Sequence, residues 1–356
     1  MGVLLFLLSL LVAVAGAGRH EALATGKEGS AVPYYASSSE LNTYWQSVFP
    51  NMPIPLAILD HFSASSGNEK KDAVEEHNWS VYSDQFSKGD AKILHNCAHM
   101  VASEKLLYPE DVLTSGSKIN LYIGRAAALH SVCLHRSIAD SIPISTKNFT
   151  DIAAMFPPAS LSMARAMWST LRSCEHPREV AGEQKACAAS VESMHEFAAA
   201  ALGTSSLRAM STSLDVPEEG ITSSPSQRYE VVAVRAVVTA AAKGAEAAGE
   251  AKNTVTCHSM RFPFALFYCH AVNPTRIYEV TLRREEDGSA TVPAPRTTTT
   301  TPAMVRALAV CHANTSGFDP TLRYWVKLGL KPGEASVCHF LTRGDVLWAP
   351  VASAAA

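Results

Sequence analysis

The sequence predicts an α+β fold, in which an N-terminal helical part precedes an antiparallel, β-rich domain stapled by disulfides. Apolar residues recur at helical spacing between about residues 160 and 203. After about residue 225 the chain consists of short β-branched or aromatic runs between turn residues. The eight cysteines are an even number, which suits four disulfides in an oxidising compartment.

Two helices are predicted from apolar spacing. The first lies within residues 160–176 and has apolar positions at intervals of four, four and three: Met163, Met167, Leu171 and Cys174. The second lies within residues 183–203, and its apolar positions are Cys187, Val191, Met194, Ala198 and Leu202. Gly203 suits the end of this helix. A disulfide between Cys174 and Cys187 would pin the corner between the two helices, and two unpaired core thiols are the alternative.

Seven runs after residue 225 predict strands. They are RYEVVAVRAVV, NTVTCHSM, FALFYCHAV, RIYEVTLRR, MVRALAVCHA, RYWVKLGL and SVCHFL. Two exposed connectors interrupt them, at residues 240–253 and 285–303. The threonine run of the second connector is of low complexity and is predicted to be disordered.

The N-terminus predicts secretion. An apolar run over residues 3–14 precedes small residues, which indicates a signal peptide over residues 1–17. The run is too short to favour a membrane span. The net charge of -3, without a basic cluster, gives no support to nucleic-acid binding. Three glycosylation sequons also suit an extracellular protein, and they begin at Asn78, Asn148 and Asn314.

The chain is expected to divide after the signal peptide into two parts. Residues 18–102 are predicted to be variable and partly disordered, because much of this stretch is small and polar. Within it, residues 41–62 carry aromatic side chains and three prolines, which favours a short docking segment. The folded domain is predicted to extend from residue 103 to residue 351.

The dipeptide Cys-His occurs four times, always on a predicted strand: Cys257-His258, Cys269-His270, Cys311-His312 and Cys338-His339. Neighbouring side chains of a strand point to opposite faces, so each dipeptide presents sulfur on one face and imidazole on the other. If the first two dipeptides flank a turn near Pro263, their cysteines lie opposite each other. Their histidines then share the other face as diagonal neighbours.

Three interpretations of these dipeptides remain open. A zinc site of Cys and His ligands needs thiolates, which an oxidised secreted chain would not usually keep. The cysteines can instead form disulfides with the histidines as bystanders. They can also form disulfides that leave the histidines to bind a metal, and neutral imidazoles suit copper as well as zinc, nickel or iron. The chain has no G-x-S-x-G elbow, H-E-x-x-H helix or P-loop.

The four dipeptides and their flanks resemble the plant BURP domain family. The matching segments are RSIADSIPIST, CEHPREVAGEQKACAASVESMHEF, FPFALFYCH, ALAVCHANTS, KPGEASVCHFL and VLWAP. The gap of 40 residues between the second and third dipeptides is longer than is usual in the family. It contains the threonine run, so we expect a surface insertion there. Leu106-Leu107 replaces the usual paired phenylalanines, and Cys97 and Cys133, outside the usual cysteine set, are hypothesised to form an extra disulfide.

The resemblance implies a secreted plant protein tied to the cell wall, seed, anther or stress responses, with cell-wall components as its partners. Some members are copper-dependent, autocatalytic cyclases that crosslink a Tyr or Trp of their own core peptide. In those members the dipeptides supply disulfide staples and copper ligands. By this resemblance the candidate copper ligands here are His258, His270, His312 and His339. The expected disulfide cysteines are Cys97, Cys133, Cys174, Cys187, Cys257, Cys269, Cys311 and Cys338.

Two functions therefore compete. The first is a non-enzymatic extracellular or cell-wall protein with a stable, copper-binding domain. The second is a copper-dependent cyclase that acts on its own N-terminal aromatic residues: Tyr34, Tyr35, Tyr44, Trp45, Trp79 and Tyr82. These residues form no repeated core motif, so a docking contact is the favoured role of Tyr44 and Trp45. The sequence does not identify which residues would be catalytic.

Overall fold

Two antiparallel β-sheets pack face to face, and helices cover the outer side of the smaller sheet. This arrangement confirms the α+β fold with an antiparallel, disulfide-containing domain. The computed structural model describes residues 34–63, 107–121, 131–175, 183–214, 227–237, 253–272, 274–285, 304–321 and 323–351. The predicted signal peptide and the threonine run lie outside these residues.

Seven α-helices are described. They are α1 (Ser38–Val48), α2 (Leu56–Ser63), α3 (Arg136–Ser141), α4 (Phe149–Met155), α5 (Leu161–Glu175), α6 (Val191–Leu202) and α7 (Arg323–Leu328). Short 3-10 turns occupy Glu110–Val112 and Thr146–Asn148. Of the helices in the described ranges, none has both the length and the apolar character that crossing a membrane requires.

The described strands number twelve. They are β1 (Leu107–Tyr108), β2 (Lys118–Leu121), β3 (Gln184–Ala188), β4 (Leu207–Met210), β5 (Ser213–Leu214), β6 (Gln227–Ala236), β7 (Val255–Ser259), β8 (Phe267–Ala271), β9 (Thr275–Arg284), β10 (Met304–His312), β11 (Val337–Phe340) and β12 (Val346–Pro350). The larger sheet has the order β1-β11-β10-β9-β6-β2, with β5 also paired to β10. The smaller sheet has the order β3-β8-β7-β12-β4.

Strand alternation determines which side chains lie between the sheets. On β10, Leu308 and Val310 point inward and join Ile277 of β9. Leu347 and Ala349 of β12 meet them from the smaller sheet in the same buried cluster. The next residues along β10 and β12 point outward and belong to the outer cores of their sheets. Each sheet therefore has one face against the other sheet and a second, outer face that carries its own cluster of buried residues.

Helices α1, α2 and α6 cover the outer face of the smaller sheet. A capping box starts α1, because Ser37 and Glu40 each bond the other's backbone N–H. The helix buries Trp45 completely, and its indole ring lies 6.2 Å from that of Trp348 on β12. Gly203 ends α6 with a φ of 65°, as the sequence predicts.

Helices α3, α4 and α5 surround the loop between β7 and β8. Phe262 and Phe264 of that loop are buried with Phe149 and Trp168 in one cluster. The predicted helix within residues 160–176 is confirmed as α5. A disulfide joins Cys174, near the end of α5, to Cys187 on β3, and this bond connects the helical layer to the smaller sheet.

Two local expectations are wrong, and one strand was not predicted. Cys187 lies on β3, not on a helix, because residues 184–188 pair with β8 along the whole strand. RYWVKLGL forms α7 rather than a strand, since Tyr324 and Trp325 are buried beside Val337 and Gly329 ends the helix at a φ of 67°. VLWAP was not predicted as a strand, but it forms β12 between β7 and β4.

Candidate metal centre

The hairpin of β7 and β8 carries the first two Cys-His dipeptides. Cys257 and Cys269 lie directly opposite each other and form a disulfide on the outer face of the smaller sheet. His258 and His270 lie on the inner face as diagonal neighbours, and their Nε2 atoms are 3.1 Å apart. The face separation follows from strand alternation, as the sequence predicts.

Strands β10 and β11 repeat the arrangement in the larger sheet. Cys311 and Cys338 lie opposite each other and form a disulfide within the outer core of that sheet. His312 and His339 share the inner face, and their ring centroids are 5.4 Å apart. These strands are not a tight hairpin, because α7 lies in the segment between them.

The two pairs of histidines meet between the sheets and form a closed set of ring contacts, which we call the His quartet: His258, His270, His312 and His339. The ring centroids of His258 and His339 are 5.4 Å apart, and those of His270 and His312 are 5.9 Å apart. Residues separated by up to 81 positions are thereby brought into contact. Strand geometry predicted the pair of His258 and His270, and the family resemblance grouped all four histidines, but neither predicted that the two pairs meet across two sheets.

Burial keeps at least part of the His quartet neutral. Burial, followed by the nearby His270, lowers the pKa of His312 to about 3. Burial also lowers the pKa of His270, although the Glu183 carboxylate opposes this shift. Because a metal ion binds the neutral form of imidazole, this environment favours metal binding near neutral pH.

Two carboxylates contact the smaller-sheet histidines, and sequence reasoning missed both. Oε1 of Glu183 lies 3.1 Å from Nδ1 of His270. Oδ1 of Asp345 lies 3.4 Å from Nδ1 of His258. Neither acidic residue lies within a Cys-His segment or follows a periodic pattern, so only the folded chain brings them to the histidines.

The His quartet suits a metal ion in its donor chemistry, and one pair of its nitrogens also has the spacing of metal ligands. For metal–nitrogen bonds of about 2.0 Å, the nitrogens of neighbouring ligands are roughly 2.8–3.3 Å apart. The two Nε2 atoms of His258 and His270 satisfy this range at 3.1 Å. As the side chains stand, no three His, Cys, Asp or Glu residues within the described ranges are arranged to hold a metal ion. Binding by all four imidazoles would therefore require their rings to be arranged differently.

The cysteines exclude one interpretation. The interpretation of the dipeptides as a zinc site with Cys and His ligands is wrong, because their four cysteines form disulfides. Cys133 is buried and forms no disulfide with a described cysteine, and burial raises the pKa of its thiol. Cys97 lies outside the described residues, so the Cys97–Cys133 bond stays a prediction.

The other predicted residues lie away from the His quartet or outside the described ranges. Asn314 is exposed after β10, and Asn148 ends the 3-10 turn before α4, whereas Asn78 is not described. Tyr44 donates to or accepts from Nδ1 of His195 at 2.9 Å, and Trp45 is buried beside it. Both aromatic residues lie on the disulfide side of the smaller sheet. Trp79 and Tyr82 are not described.

Comparison with known proteins gives a consistent result. A family model described as "BURP domain" matches residues 106–350. BURP domain-containing protein 11 of rice (Oryza sativa subsp. japonica) is 39% identical over 245 residues, covering 67% of this chain and 73% of that protein. BURP domain-containing protein 9 of rice is 36% identical over 251 residues, covering 70% of this chain but 43% of that protein.

A relative from a second plant shows the same partial coverage. BURP domain protein RD22 of Arabidopsis thaliana is 33% identical over 251 residues, which are 68% of this chain and 55% of that protein. The chain thus spans about half the length of two of these three relatives.

Proposed function

Because the chain belongs to the plant BURP domain family, we propose that it is a secreted, copper-binding protein of the cell wall or extracellular space, acting in development or stress response. Its copper ligands are His258, His270, His312 and His339. The observation that carries the proposal is the convergence of these four imidazoles between two disulfide-stapled sheets.

Three disulfides support the extracellular location. Such bonds persist in oxidising compartments and are rare in the cytosol. Two of them lie on the faces opposite the histidines, so they hold each pair of strands in register without occupying the site. The signal-like N-terminus and the sequons point to the same compartment.

The ligand set is compatible with copper, and the family resemblance selects copper among the metals that imidazole binds. Imidazole nitrogen suits copper, and the disulfides leave no thiolate in the dipeptides for a Cys-His zinc site. Copper, when bound, supplies one-electron redox chemistry. The chain itself supplies a buried site between two sheets and holds Nε2 of His258 toward Nε2 of His270.

A copper titration tests the proposal. The secreted protein is titrated with Cu(II) against a competing chelator, and we expect stoichiometric binding that the double variant His258→Ala/His270→Ala loses. The matched control is His135→Ala, which removes a histidine at the start of α3, outside the His quartet. Absence of binding to the wild-type protein, or binding that survives the double substitution, would contradict the proposal.

Autocatalytic crosslinking is the second candidate, and the placement of two N-terminal aromatic residues argues against it for those residues. Tyr44 and Trp45 pack with His195 and Trp348 on the face of the smaller sheet opposite the His quartet. Copper-loaded protein, incubated under air and digested, would reveal a crosslink as a peptide that has lost two hydrogen atoms. We expect the peptide containing Tyr44 and Trp45 to keep its mass.

A further inference from the structure

We propose that Glu183 and Asp345 are positioning residues of the His quartet, which hold the Nδ1 sides of His270 and His258 so that both Nε2 atoms are directed to one cation. This inference rests on the proposed function, because the cation is the copper ion proposed above. It adds two carboxylates, from outside the Cys-His dipeptides, that set the orientation of the ligands.

Glu183 reaches the site from the edge of the smaller sheet. It immediately precedes β3, on which Lys185 lies opposite His270 of β8. One oxygen of Glu183 is 3.1 Å from Nδ1 of His270, and the other is 2.5 Å from Nζ of Lys185. The Glu183 and Lys185 side chains are only 7% and 10% exposed. Lys185 therefore balances the charge of a buried carboxylate that faces the imidazole.

Asp345 reaches the site from the turn between β11 and β12. Its Oδ1 accepts a hydrogen bond from the Ser259 backbone N–H at 3.2 Å, and its Oδ2 accepts one from the Thr342 backbone N–H at 2.8 Å. These bonds fix the carboxylate with Oδ1 at 3.4 Å from Nδ1 of His258. Arg343 of the same turn pairs with Asp60 of α2 at 2.9 Å, which anchors the turn on the outer layer.

The two carboxylates determine the tautomers of the imidazoles. A neutral imidazole has one N–H, and a carboxylate at Nδ1 draws that proton to Nδ1. In those tautomers both Nε2 atoms carry a lone pair, and the two atoms lie 3.1 Å apart. A cation between them accepts both lone pairs, whereas without a cation the same contact is a hydrogen bond that needs a proton on one Nε2. The carboxylates therefore favour the tautomers that a cation binds.

His312 of the larger sheet has an uncharged partner at its Nδ1. Nδ1 of His312 faces the backbone carbonyl oxygen of Val272 at 3.3 Å. A carbonyl oxygen fixes the same tautomer, but it carries no net charge and makes imidazole less basic than a carboxylate does. We therefore expect the carboxylate partners, rather than this carbonyl, to dominate the affinity for the cation.

The test compares Glu183→Gln and Asp345→Asn with the wild-type protein. We expect each variant to bind Cu(II) about 10- to 100-fold more weakly, and to shift the electron paramagnetic resonance spectrum of the bound Cu(II). Glu110→Gln is the matched control, because it removes a partly buried carboxylate on the disulfide side of the larger sheet. Its copper affinity and spectrum should equal those of the wild type.

The outcomes separate this inference from the proposed function. A wild-type protein that binds no Cu(II) overturns both. Wild-type binding that Glu183→Gln and Asp345→Asn both retain within about twofold, with an unchanged spectrum, overturns the positioning role alone. If circular dichroism shows that either variant does not fold, Glu183→Asp and Asp345→Glu replace them. These keep the charge but move the carboxylate, so a shifted spectrum supports the role and an unchanged one overturns it.

Discussion

The β7–β8 hairpin and the β10–β11 pair have the same arrangement of cysteines and histidines in two different sheets. In both, opposite cysteines form a disulfide on the outer face and diagonal histidines occupy the inner face. The disulfides close segments of very different length, with separations of 12 and 27 residues. The register of the two strands is therefore sufficient to place the disulfide and the histidines on opposite faces, whatever the length of the connection between the strands.

The two halves differ in what surrounds them. Carboxylates contact the histidines of the smaller sheet, whereas a backbone carbonyl faces His312 of the larger sheet. The larger sheet instead places a carboxylate, Glu110, on its disulfide face. Among these contacts, the carboxylates lie on the histidine face of the smaller sheet and on the disulfide face of the larger sheet. Under the proposed function, this difference gives the first group a part in ligand orientation and Glu110 a part in stability.

The largest effect should come from removing the disulfides. In the chain-entropy model, losing Cys311–Cys338 costs about 3.6 kcal/mol of unfolding free energy and losing Cys257–Cys269 about 2.8 kcal/mol, because the first bond closes the longer loop. Double alanine variants measured by urea unfolding check this order. The Cys174–Cys187 bond, with a separation of 13 residues, is the control and should match the smaller value. Equal losses for the short and long loops would refute the entropic explanation.

Strand geometry predicted the β7–β8 half of the site, whereas the β10–β11 half and the set of four histidines were expected only from the resemblance to the BURP domain family. Alternation along a strand separates sulfur from imidazole by local geometry, so Cys257 and His258 could be assigned to opposite faces from the sequence. That the two halves belong to different sheets depends on β12, which pairs with β7 and which sequence reasoning did not predict. No local pattern reports such a long-range pairing.

The two segments whose secondary structure was wrongly predicted have a similar explanation. Cys187 fits the apolar spacing of a helix, but its backbone pairs with β8 and its sulfur bonds Cys174. RYWVKLGL has strong β propensity, yet its two aromatic side chains reach their buried positions beside Val337 from a helix. Tertiary contacts outweighed local propensity in both segments.

Acid should destabilise the larger-sheet half through Glu110. Hydrogen bonds from Arg276 lower the pKa of Glu110 from 4.5 to about 2, although burial opposes this shift. Hydrogen bonds from Tyr278 and Ser336 also lower the pKa. A lowered folded-state pKa stabilises the protein above the unfolded value, so this contribution is present above pH 4.5 and is lost as the pH falls toward 2. With its side chain 24% exposed, we expect about 1–2 kcal/mol after solvent screening.

The measurement compares wild type with Glu110→Gln by urea unfolding across this pH range. The variant should be less stable at pH 6, and the difference should shrink as the pH falls from 4.5 to 2. Glu230→Gln, which removes an ion pair with the partly exposed Arg283, is the matched control and should lower the free energy of unfolding at pH 6 by less than Glu110→Gln does. A constant difference between wild type and Glu110→Gln would show that the charge of Glu110 is not the cause.

The smallest expected effect concerns the contact between α1 and α6, two helices that cover the disulfide face of the smaller sheet. Tyr44 of α1 hydrogen-bonds His195 of α6 at 2.9 Å, and burial raises the pKa of Tyr44 to about 12. Tyr44→Phe keeps the packing and loses this bond, so we expect a loss of about 1 kcal/mol in unfolding free energy. Tyr35→Phe is the control, because Tyr35 is 45% exposed. A different outcome would be that copper makes the wild-type peptide containing Tyr44 lose two hydrogen atoms and that Tyr44→Phe abolishes this loss. Tyr44 would then be a substrate of the crosslinking, and the outer face of the smaller sheet would take part in the chemistry.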